Sequence, residues 1–372
     1  MTTSSRAVVL EAFGEPLQMH TYDVPAPKDM AALVRVGFAG VCGTDVHLQA
    51  GRLSIPTPVV LGHEAVGRID ALGAGLTHDV LGAPLAEGDW VSWLNNIACG
   101  RCYYCLVEGR PTLCTGSRRI YGINQRADEW PHVSGGWSDY IYLQPGTVLV
   151  KLPEVASPQE AISLGCAGPT AVHGALDEVR IRPGDTVVVQ GSGPVGMAAA
   201  MYAELAGARH VVVVGGPAAR LETAARLGVG QAHVDIFETT DPAERARIVR
   251  AETRRGEGAD VVVEATGVPA AVAEAIDLVR PDGQVSVVGQ YTDHGPTPIN
   301  PHLITRKNLT ISGSWGFGAR HYIGYVSSLP QLLDRFDLAA LVTEYPLEQA
   351  ESAVADVKAG SVLKAVLRIG GR

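Results

Sequence analysis

The spacing of hydrophobic positions changes near Pro158, and this change separates two kinds of sequence. Before it, short runs such as AVVLEA, ALVRVGFAGV and AVGRIDAL are separated by Gly, Pro and Asp, which is typical of strands joined by turns. No long helical period occurs in this region. The pattern therefore predicts a β-rich domain over residues 1–167.

From Pro158 onward, Ala-rich helical segments alternate with apolar strands. Residues 158–176 read as helical, and the later helices are predicted at GMAAAMYAELAG, ARLETAARLG and AAVAEAIDLVR. The strands between them are predicted at DTVVVQ, HVVVVGG, DVVVEATG and QVSVVGQ. Such alternation indicates a parallel sheet with crossover helices. We predict an α/β fold in which a doubly wound parallel-sheet domain, residues 168–312, is inserted into a β-rich domain formed by residues 1–167 and 313–372.

Composition and charge exclude several classes of partner. A chain of 372 residues with 46% hydrophobic and 19% charged residues can bury two sizeable cores. The net charge is −9 and no basic cluster appears, so we expect no nucleic-acid partner. The densest basic stretch, residues 245–255, is interpreted as a solvated helix face. No run approaches the ~20 apolar residues of a membrane helix, and no signal peptide is recognised, so a cytoplasmic protein without a membrane partner is expected.

A glycine-rich motif follows the strand VVVQ directly and opens a helix. It reads Gly191-Ser192-Gly193-Pro194-Val195-Gly196, which is G-x-G-x-x-G in a strand–turn–helix context. The first Gly suits a tight turn, the second a close approach to a pyrophosphate, and the third helix–strand packing. A helix N-terminus also favours phosphate charge. The motif predicts a dinucleotide site; the alternative is a glycine-rich turn that only packs a helix.

The position of the expected ribose-binding carboxylate holds glycine instead. Gly215 and Gly216 end the second strand of the α/β region, and no Arg or Lys follows immediately. Arg220, a few residues later, could contact the ribose of either cofactor, or it could be a solvated residue of the first helical turn. The sequence leaves NAD and NADP open and favours NAD.

Four of the six cysteines lie within sixteen residues and predict a metal lobe at about residues 95–116. Cys99, Cys102, Cys105 and Cys114 supply four soft ligands, which suit a closed structural zinc site. An iron–sulfur cluster also uses cysteine runs, and disulfides are a further alternative. Both are less compatible with a cytosolic chain that carries a dinucleotide motif.

The remaining cysteines suggest a second metal site of a different kind. Cys42, His63 and Cys166 would give two sulfur ligands and one nitrogen ligand and leave one coordination position open. Taken singly, each residue is more often a packing residue than a ligand. The prediction of a catalytic zinc therefore depends on the three residues together.

Several segments, in this order, resemble the zinc-containing medium-chain alcohol dehydrogenases. They are GVCGTDVH at 40–47, GHEAVG at 62–67, GDWV at 88–91, the cysteine lobe, GGWSDY at 135–140, GCAGPTAVHGA at 165–175 and GSGPVG at 191–196. The resemblance spans nearly the whole chain. It implies a GroES-like catalytic domain with an inserted Rossmann domain, one catalytic and one structural zinc ion, and NAD or NADP as cofactor.

The resemblance also implies roles for the residues near the catalytic metal. Glu64 follows the ligand histidine, where the family keeps a carboxylate near the metal, and Asp45 resembles the carboxylate that orients that histidine. Thr44 resembles the hydroxyl that contacts the alcohol, and His47 the outer member of a proton relay.

Further implied roles concern the cofactor and the substrate. Thr170 resembles the residue that packs on nicotinamide, and Lys364 the basic residue that reaches the pyrophosphate; a surface lysine is the alternative for Lys364. Candidates for the walls of the substrate pocket, some of which could equally be core aromatics, are Trp93, Asn95, Tyr121, Trp137 and Trp315.

Two departures from the family pattern are present, and two rival functions remain. Eight residues separate the third and fourth lobe cysteines, where the family usually has seven, and the acidic residue at Gly215 is missing. The resemblance implies reversible hydride transfer between an alcohol, secondary or cyclic, and NAD(P), giving a ketone or aldehyde. The rivals are a zinc-free enone or quinone reductase and a non-catalytic relative that binds the cofactor. A homodimer or homotetramer is expected, with a small alcohol or carbonyl compound as substrate.

Overall fold

The computed structural model describes residues 3–370, which divide into two compact units. Within these residues, the first unit consists of residues 3–166, 318–330 and 338–370, and the second of residues 167–317 and 331–337. The first break thus lies after residue 166, where 167 was expected, and the second after residue 317, where 312 was expected. The short return into the second unit at residues 331–337 has no counterpart in the sequence pattern.

The first unit is built on an antiparallel sheet whose central strand leads to the metal site. Its strands are β1 (Ser4–Leu10), β2 (Gln18–Asp23), β3 (Ala32–Val41), β4 (Val59–Val60), β5 (Ala65–Leu72), β6 (Trp90–Trp93), β7 (Asn96–Ile97), β8 (Arg119–Ile120), β9 (Tyr140–Leu143), β10 (Leu149–Lys151), β17 (Val342–Pro346) and β18 (Lys364–Arg368). The main sheet has the order β10-β6-β5-β3-β18-β17, with β9 also pairing β3. All its pairs are antiparallel except β17–β18. Smaller sheets are β2-β1-β4 and β7-β8.

Helices of the first unit are few and mostly short. They are α1 (Gly43–Gln49), α2 (Tyr103–Leu106), α3 (Pro158–Ser163), α10 (Ala319–Arg335), which continues into the second unit, and α11 (Ala350–Ala359). Short 3₁₀ turns occur at Pro111–Leu113, Ala339–Leu341 and Leu347–Gln349. The core between these elements includes Trp137, which is fully buried and donates from Nε1 to the Gly40 carbonyl oxygen at 3.0 Å. This hydrogen bond satisfies the polar atom of a buried indole.

The second unit contains a six-stranded parallel sheet in the order β13-β12-β11-β14-β15-β16. Its strands are β11 (Thr186–Gln190), β12 (His210–Gly215), β13 (Ala232–Asp235), β14 (Ala259–Glu264), β15 (Val279–Val287) and β16 (Thr310–Gly313). Its helices are α4 (Ala167–Ala171), α5 (Pro194–Leu205), α6 (Ala218–Arg226), α7 (Pro242–Ala251), α8 (Pro269–Leu278) and α9 (Pro301–Arg306). Strand β11 is buried along its whole length, as expected for the centre of a parallel sheet covered on both faces.

Three local predictions need correction. The helix expected over residues 158–176 is divided into α3, α4 and a π-helix at Val172–Asp177. The strand expected at QVSVVGQ begins earlier, at Val279, as β15. The stretch 245–255 is not uniformly solvated, because Arg245 is buried and binds both oxygens of Glu274 at 2.8 and 2.9 Å. Periodicity alone does not reveal such a partner on another helix.

Within residues 3–370, no helix has the length and apolar character that crossing a bilayer requires.

Candidate metal and dinucleotide sites

The first metal cluster forms where β3 ends and α1 begins. Cys42 is the N-cap residue of α1, and the Asp45 carboxylate accepts from the Cys42 backbone N–H at 2.9 Å. The second oxygen of Asp45 lies 3.2 Å from His63 Nδ1. Asp45 therefore caps the helix and orients the histidine ring at the same time, a double role for a residue with no exposed surface.

His63 reaches the cluster through a close packing of backbone and tryptophan. Gly62, which precedes it, has a φ of +93°, and a Cβ there would lie 2.3 Å from the Trp137 ring. Only glycine fits this conformation and this contact. Trp137 thus packs in the core against the turn at Gly62 that precedes His63. The other predicted pocket residues of this unit, Trp93, Asn95 and Tyr121, are also buried.

Four side chains converge on one point in the first unit. The ligand atoms of Cys42, His63, Glu64 and Cys166 all lie within 4.8 Å of one another. His63 Nε2 and Glu64 Oε1 are buried and have no hydrogen-bond partner. Leaving such atoms unpaired is costly, and a metal ion at this position would satisfy both. Two thiols and one imidazole are also the donor set that suits zinc with an open coordination position.

The cluster is electrostatically prepared for a cation. The Cys166 thiol donates to Cys42, which lowers the pKa of Cys42 well below its usual value and raises the pKa of Cys166. Burial by itself lowers the pKa of His63, but Asp45 and Cys42 outweigh burial and raise it well above its usual value. The lowered pKa favours the thiolate form of Cys42, which is the form that binds a metal, and metal binding to such a cluster displaces protons from its ligands.

Lys364 belongs to this cluster, which corrects the alternative of a surface lysine. Its side chain is buried and its Nζ lies 2.5 Å from Glu64 Oε2. A Cβ at Gly40 or at Gly165 would lie within 2.6 Å of that same Glu64 oxygen, so both glycines make room for the pair. Burial raises the pKa of Glu64, and the Lys364 charge opposes that rise without cancelling it. Burial by itself lowers the pKa of Lys364, but the charges of Glu64 and Cys42 outweigh burial and raise it. With its ammonium committed to Glu64, the predicted contact of Lys364 with a pyrophosphate has no support in this placement.

The predicted proton-relay residues lie on α1. The Thr44 hydroxyl is 3.7 Å from Cys42 Sγ, and His47 lies half-buried on the last turn of the helix. The i and i+3 positions of Thr44 and His47 place both side chains on one helical face. This arrangement agrees with the spacing of a relay, and the relay itself stays a prediction.

The second metal cluster is the cysteine lobe. The four sulfur atoms of Cys99, Cys102, Cys105 and Cys114 lie within 4.8 Å of one another, and Cys102 Sγ is 3.9 Å from Cys114 Sγ. Tetrahedral zinc with Zn–S bonds of about 2.3 Å sets the sulfurs about 3.8 Å apart. All six cysteines are free thiols, so no disulfide competes. Eight residues lie between Cys105 and Cys114, and the 3₁₀ turn Pro111–Leu113 within this interval accommodates the additional residue.

Backbone amides surround the lobe sulfurs. The N–H of Cys102 donates to Cys99 Sγ, and that of Cys99 donates to Cys114 Sγ, each at 3.4 Å. Amides of Cys105 and Thr115 lower the pKa of Cys102 to about 5, while burial and the neighbouring thiols raise the pKa of Cys105 to about 12. A lobe with an existing thiolate and amide donors suits a bound cation that spreads charge over four sulfurs.

The dinucleotide motif in the second unit has the backbone form that a pyrophosphate needs. Gly191 has a φ of +112°, and a Cβ at Gly196 would lie 1.9 Å from the Gly191 carbonyl oxygen. A Cβ at Gly193 would instead meet open space, and Gly193 is the N-cap of α5, with Pro194 and Val195 in its first turn. The cradle beside the helix N-terminus therefore fits a nicotinamide dinucleotide, whose pyrophosphate would lie at Gly193.

The end of β12 shows why no carboxylate stands there. A Cβ at Gly215 would lie 2.8 Å from both the backbone nitrogen and the hydroxyl oxygen of Ser192. The Ser192 hydroxyl also donates to the Gly216 carbonyl oxygen at 2.9 Å and accepts from the Gly216 N–H at 3.0 Å. Arg220 is half-buried, burial lowers its pKa, and its Nε is buried without a hydrogen-bond partner among the described residues. Arg220 is therefore only partly exposed to solvent, and its contact with a ribose stays a prediction.

Sequence inspection missed one acidic residue at this turn. Asp235 ends β13, the neighbour of β12, and its Oδ1 would lie 3.4 Å from a Cβ at Gly216. The signal was available in principle, because the ends of adjacent parallel strands meet at one edge of a sheet. Of the remaining candidates, Thr170 is half-buried in α4, and Trp315 is 44% exposed and stacks on Tyr291.

Two segments of the chain match known protein families. Residues 28–154 match the family described as alcohol dehydrogenase GroES-like domain, and residues 194–336 match the family described as zinc-binding dehydrogenase. The fold, the cysteine-rich clusters and the dinucleotide cradle together define a zinc- and nicotinamide-dependent dehydrogenase.

Curated relatives extend over almost the entire chain. The 5-exo-hydroxycamphor dehydrogenase of Pseudomonas putida is 36% identical over 95% of this chain and 96% of its own length. An L-threonine 3-dehydrogenase of Saccharopolyspora erythraea is 30% identical over 97% of this chain and 98% of its own. A probable D-xylulose reductase A of Aspergillus fumigatus is 31% identical over 98% of this chain and 97% of its own.

Solved structures show the same architecture. An alcohol dehydrogenase of Thermotoga maritima is 34% identical with a TM-score of 0.91, covering 99% of this chain and 100% of its own. A zinc-binding dehydrogenase of Sinorhizobium meliloti, bound to NADP, is 26% identical with a TM-score of 0.84, covering 98% and 99%. The chain belongs to the zinc-dependent medium-chain dehydrogenase/reductase family. It is an oxidoreductase of the alcohol dehydrogenase type that uses zinc and a nicotinamide cofactor.

Proposed function

We propose that the protein oxidises a secondary alcohol, preferably a cyclic one, to the ketone, and catalyses the reverse reduction. The observation that carries the proposal is the buried cluster of Cys42, His63, Glu64 and Cys166, in which His63 Nε2 and Glu64 Oε1 lie 3.9 Å apart and neither has a hydrogen-bond partner among the described residues. Zinc-free reductases do not need such a ligand set, and a non-catalytic relative is expected to lose part of it. Neither rival explains the cluster.

The proposed mechanism assigns a task to each side chain around that cluster. Zinc, when bound, supplies a Lewis acid that lowers the pKa of an alcohol hydroxyl. Cys42, His63 and Cys166 would hold it, and Asp45 keeps the His63 ring turned so that Nε2 is available to the metal. We assign to Thr44 the relay of the hydroxyl proton, in which its oxygen accepts that proton as it gives up its own toward His47. We assign to His47 the transfer to solvent, since imidazole exchanges protons near neutral pH.

Glu64 and Lys364 complete the proposed site. With one oxygen held by Lys364 and the other directed into the cluster, Glu64 adds negative charge beside the ligand set. Lys364 limits the cost of burying that charge, because a paired buried carboxylate is far cheaper than an isolated one.

The preference for secondary alcohols is supported by the relatives. The names of the three relatives specify a ring hydroxyl of camphor, the 3-hydroxyl of threonine and a ketose, and the carbon that reacts in each is secondary. The relative with the highest of these identities acts on the cyclic compound, which favours a cyclic substrate here.

The test is kcat/KM across a panel of alcohols with a matched ligand variant. Bicyclic and monocyclic secondary alcohols should exceed ethanol by about 100-fold, because several additional buried methylenes each contribute to binding. L-threonine and xylitol should lie below the cyclic compounds. Cys166→Ser should abolish turnover while leaving NADH binding and the lobe zinc intact. Turnover of primary alcohols alone, or undiminished turnover by Cys166→Ser, would overturn the proposal.

We propose NAD as the preferred cofactor, with Asp235 as the residue that disfavours NADP. The carboxylate of Asp235 lies beside Gly216 where β12 and β13 end, and it would repel a 2′-phosphate there. Asp235→Asn should increase NADP use relative to NAD, measured as the ratio of the two kcat/KM values. A wild-type preference for NADP, or an unchanged ratio in the variant, would contradict this assignment.

We further propose a homodimer or homotetramer. The supporting observation is β16, which ends the parallel sheet and leaves its outer edge unpaired among the described residues, with Ile311 38% exposed. Light scattering on wild type and on Ile311→Lys tests this, since a charge on the edge should shift the mass toward the monomer. A monomeric wild type would refute it.

A cytoplasmic location is proposed as well. Two thiol-rich metal clusters without disulfides require a reducing compartment. Cell fractionation of the tagged protein tests this, and recovery in an oxidising compartment would contradict it.

A further inference from the structure

One fully buried carboxylate in the second unit lies outside everything assigned above. Glu264 is the last residue of β14 and has no exposed surface. Its Oε1 accepts from the Thr266 N–H at 2.7 Å, the Thr266 hydroxyl at 2.6 Å and the Gly267 N–H at 3.2 Å. Its Oε2 accepts from Gln290 Nε2 at 3.2 Å. No ion pair links it to a cation in the described part of the chain, so neutral donors alone stabilise this carboxylate.

These hydrogen bonds connect the loops that follow two neighbouring strands. Thr266 and Gly267 follow β14, and Gln290 follows β15. The Glu264 carbonyl oxygen also accepts from Val288 N and Gly289 N at 2.9 and 3.0 Å. A Cβ at Gly289 would lie 2.5 Å from Gly267 N, so the two loops pack backbone against backbone. Glu264 therefore fixes both loops through its side chain and its backbone.

The strand order indicates which half of the dinucleotide these loops serve. The glycine motif follows β11, at the centre of the sheet, and Gly215 and Asp235 lie on the β12 and β13 side. In the proposed site the adenosine end would therefore extend toward β12 and β13. A dinucleotide extends across the carboxyl edge of such a sheet in both directions from its pyrophosphate. The nicotinamide half must then extend over the ends of β14 and β15.

We propose that Glu264 is a positioning residue for the nicotinamide half of the cofactor. It acts by holding the loops 265–268 and 288–291 in one conformation, with their backbone groups fixed before the cofactor binds. The inference rests on the proposed use of a nicotinamide dinucleotide. It concerns the second unit only and does not depend on which alcohol is oxidised.

A carboxylate suits this task better than an apolar side chain. Two backbone N–H groups, a hydroxyl and an amide are directed at its two oxygens, and each would lose its acceptor if the side chain were apolar. Buried donors without an acceptor are costly, so the loops would rearrange to find others. A rearranged loop no longer presents the surface that the nicotinamide ring requires.

The experiment compares the binding of two ligands to wild type and Glu264→Ala. NADH and ADP-ribose share the adenosine and pyrophosphate, and only NADH carries nicotinamide. Isothermal titration should show NADH weakened by about 10- to 100-fold in Glu264→Ala, the loss expected when buried donors lose their acceptor. ADP-ribose, which contacts distant residues, should change by no more than about twofold.

Two further variants keep the test decisive. Glu264→Gln retains an oxygen for Thr266 and Gly267, but its NH₂ group would face the Gln290 amide donor. It should therefore weaken NADH measurably, though less than Glu264→Ala does, and leave ADP-ribose unchanged. Glu204→Gln alters another buried carboxylate of the second unit, which accepts from Gly230 N at 2.7 Å and pairs with Arg335. It should lower the melting temperature and leave the ratio of the two affinities unchanged.

The outcomes separate this inference from the proposed function. Equal weakening of NADH and ADP-ribose in Glu264→Ala, or no weakening of either, overturns the positioning role. A wild type that binds both ligands but oxidises no secondary alcohol overturns the proposed substrate and leaves the positioning role intact. If Glu264→Ala does not fold, Glu264→Gln decides, because it too should weaken NADH more than ADP-ribose; a ratio unchanged from wild type would overturn the inference.

Discussion

The replacement Asp45→Asn separates helix capping from histidine orientation. One Asp45 oxygen accepts from the Cys42 N–H and the other lies 3.2 Å from His63 Nδ1. Asparagine keeps the shape but has one oxygen, and its NH₂ group would face a donor at the second contact. Loss of the histidine contact should weaken zinc at this cluster by about 10- to 100-fold, which is about 1.4–2.7 kcal/mol. Loss of the cap contact would instead cost about 1 kcal/mol of stability.

The assay is zinc retention under increasing chelator, with total zinc per chain measured by mass spectrometry. We expect wild type to retain two zinc ions, and Asp45→Asn to release one at a lower chelator concentration while the cysteine lobe keeps the other. A matched control is Asp241→Asn, because Asp241 caps α7 by accepting from Ala243 N at 3.0 Å and contacts no metal ligand. It should lower stability slightly and leave both zinc ions in place.

Two results would refute the reasoning. Wild-type chelator resistance in Asp45→Asn would mean that the carboxylate does not orient His63 in any way that matters for the metal. Simultaneous release of both zinc ions would mean that the variant loosens the first unit as a whole, so that the capping contact dominates.

Three further predictions follow from the geometry. Gly193→Ala should fold normally but bind NADH more weakly in a fluorescence titration, because the new Cβ would meet open space where a pyrophosphate would lie. Gly196→Ala should weaken NADH binding and also lower the melting temperature, since its Cβ would lie 1.9 Å from a carbonyl oxygen. Equal melting temperatures of the two variants would contradict the assignment. Cys99→Ser should reduce zinc to one ion per chain and lower the melting temperature; two retained ions would exclude the lobe as a metal site. Lys364→Met should destabilise the protein by about 3–5 kcal/mol, measured by urea denaturation, because a buried carboxylate loses its partner; a change below about 1 kcal/mol would show that the ion pair is not needed.

The sequence predicted the alternating strands and helices well because parallel strands buried on both faces are long apolar runs. Val187–Val189 and Val211–Val214 are almost completely buried, and their sequence shows it. The break of the helical segment 158–176 into α3, α4 and a π-helix was not predictable from its Ala-rich pattern. A pattern of apolar positions predicts which face of a helix is buried, but it does not predict where a helical segment is interrupted.

The candidate site divides in the same way. Residues close in sequence, such as the lobe cysteines, and the ligand set taken as a group could be recognised from residue type and spacing. The pairing of Lys364 with Glu64 across 300 positions, the contact of Arg245 with Glu274 and the position of Asp235 could not, because each depends on which elements pack together. For Lys364 the alternative of a surface position was wrong, because the side chain is buried against a carboxylate partner, and its contact with a pyrophosphate stays a prediction.

The ligands of the first cluster are far apart along the chain, and this gives its metal a role in cohesion as well as in chemistry. Cys42 and Cys166 are 124 positions apart, whereas Cys99 and Cys114 are only 15 apart. Fastening the ends of a long loop removes more freedom from the unfolded chain than fastening a short one: on the chain-entropy estimate about 5 kcal/mol for the first loop and about 3 for the second. Cys166 is also the last residue before the chain leaves the first unit. A bound ion there would connect the N-terminal part of this unit to the residue at which the chain leaves it. Zinc deficiency in a cell should therefore lower the stability of the folded protein as well as its catalytic activity.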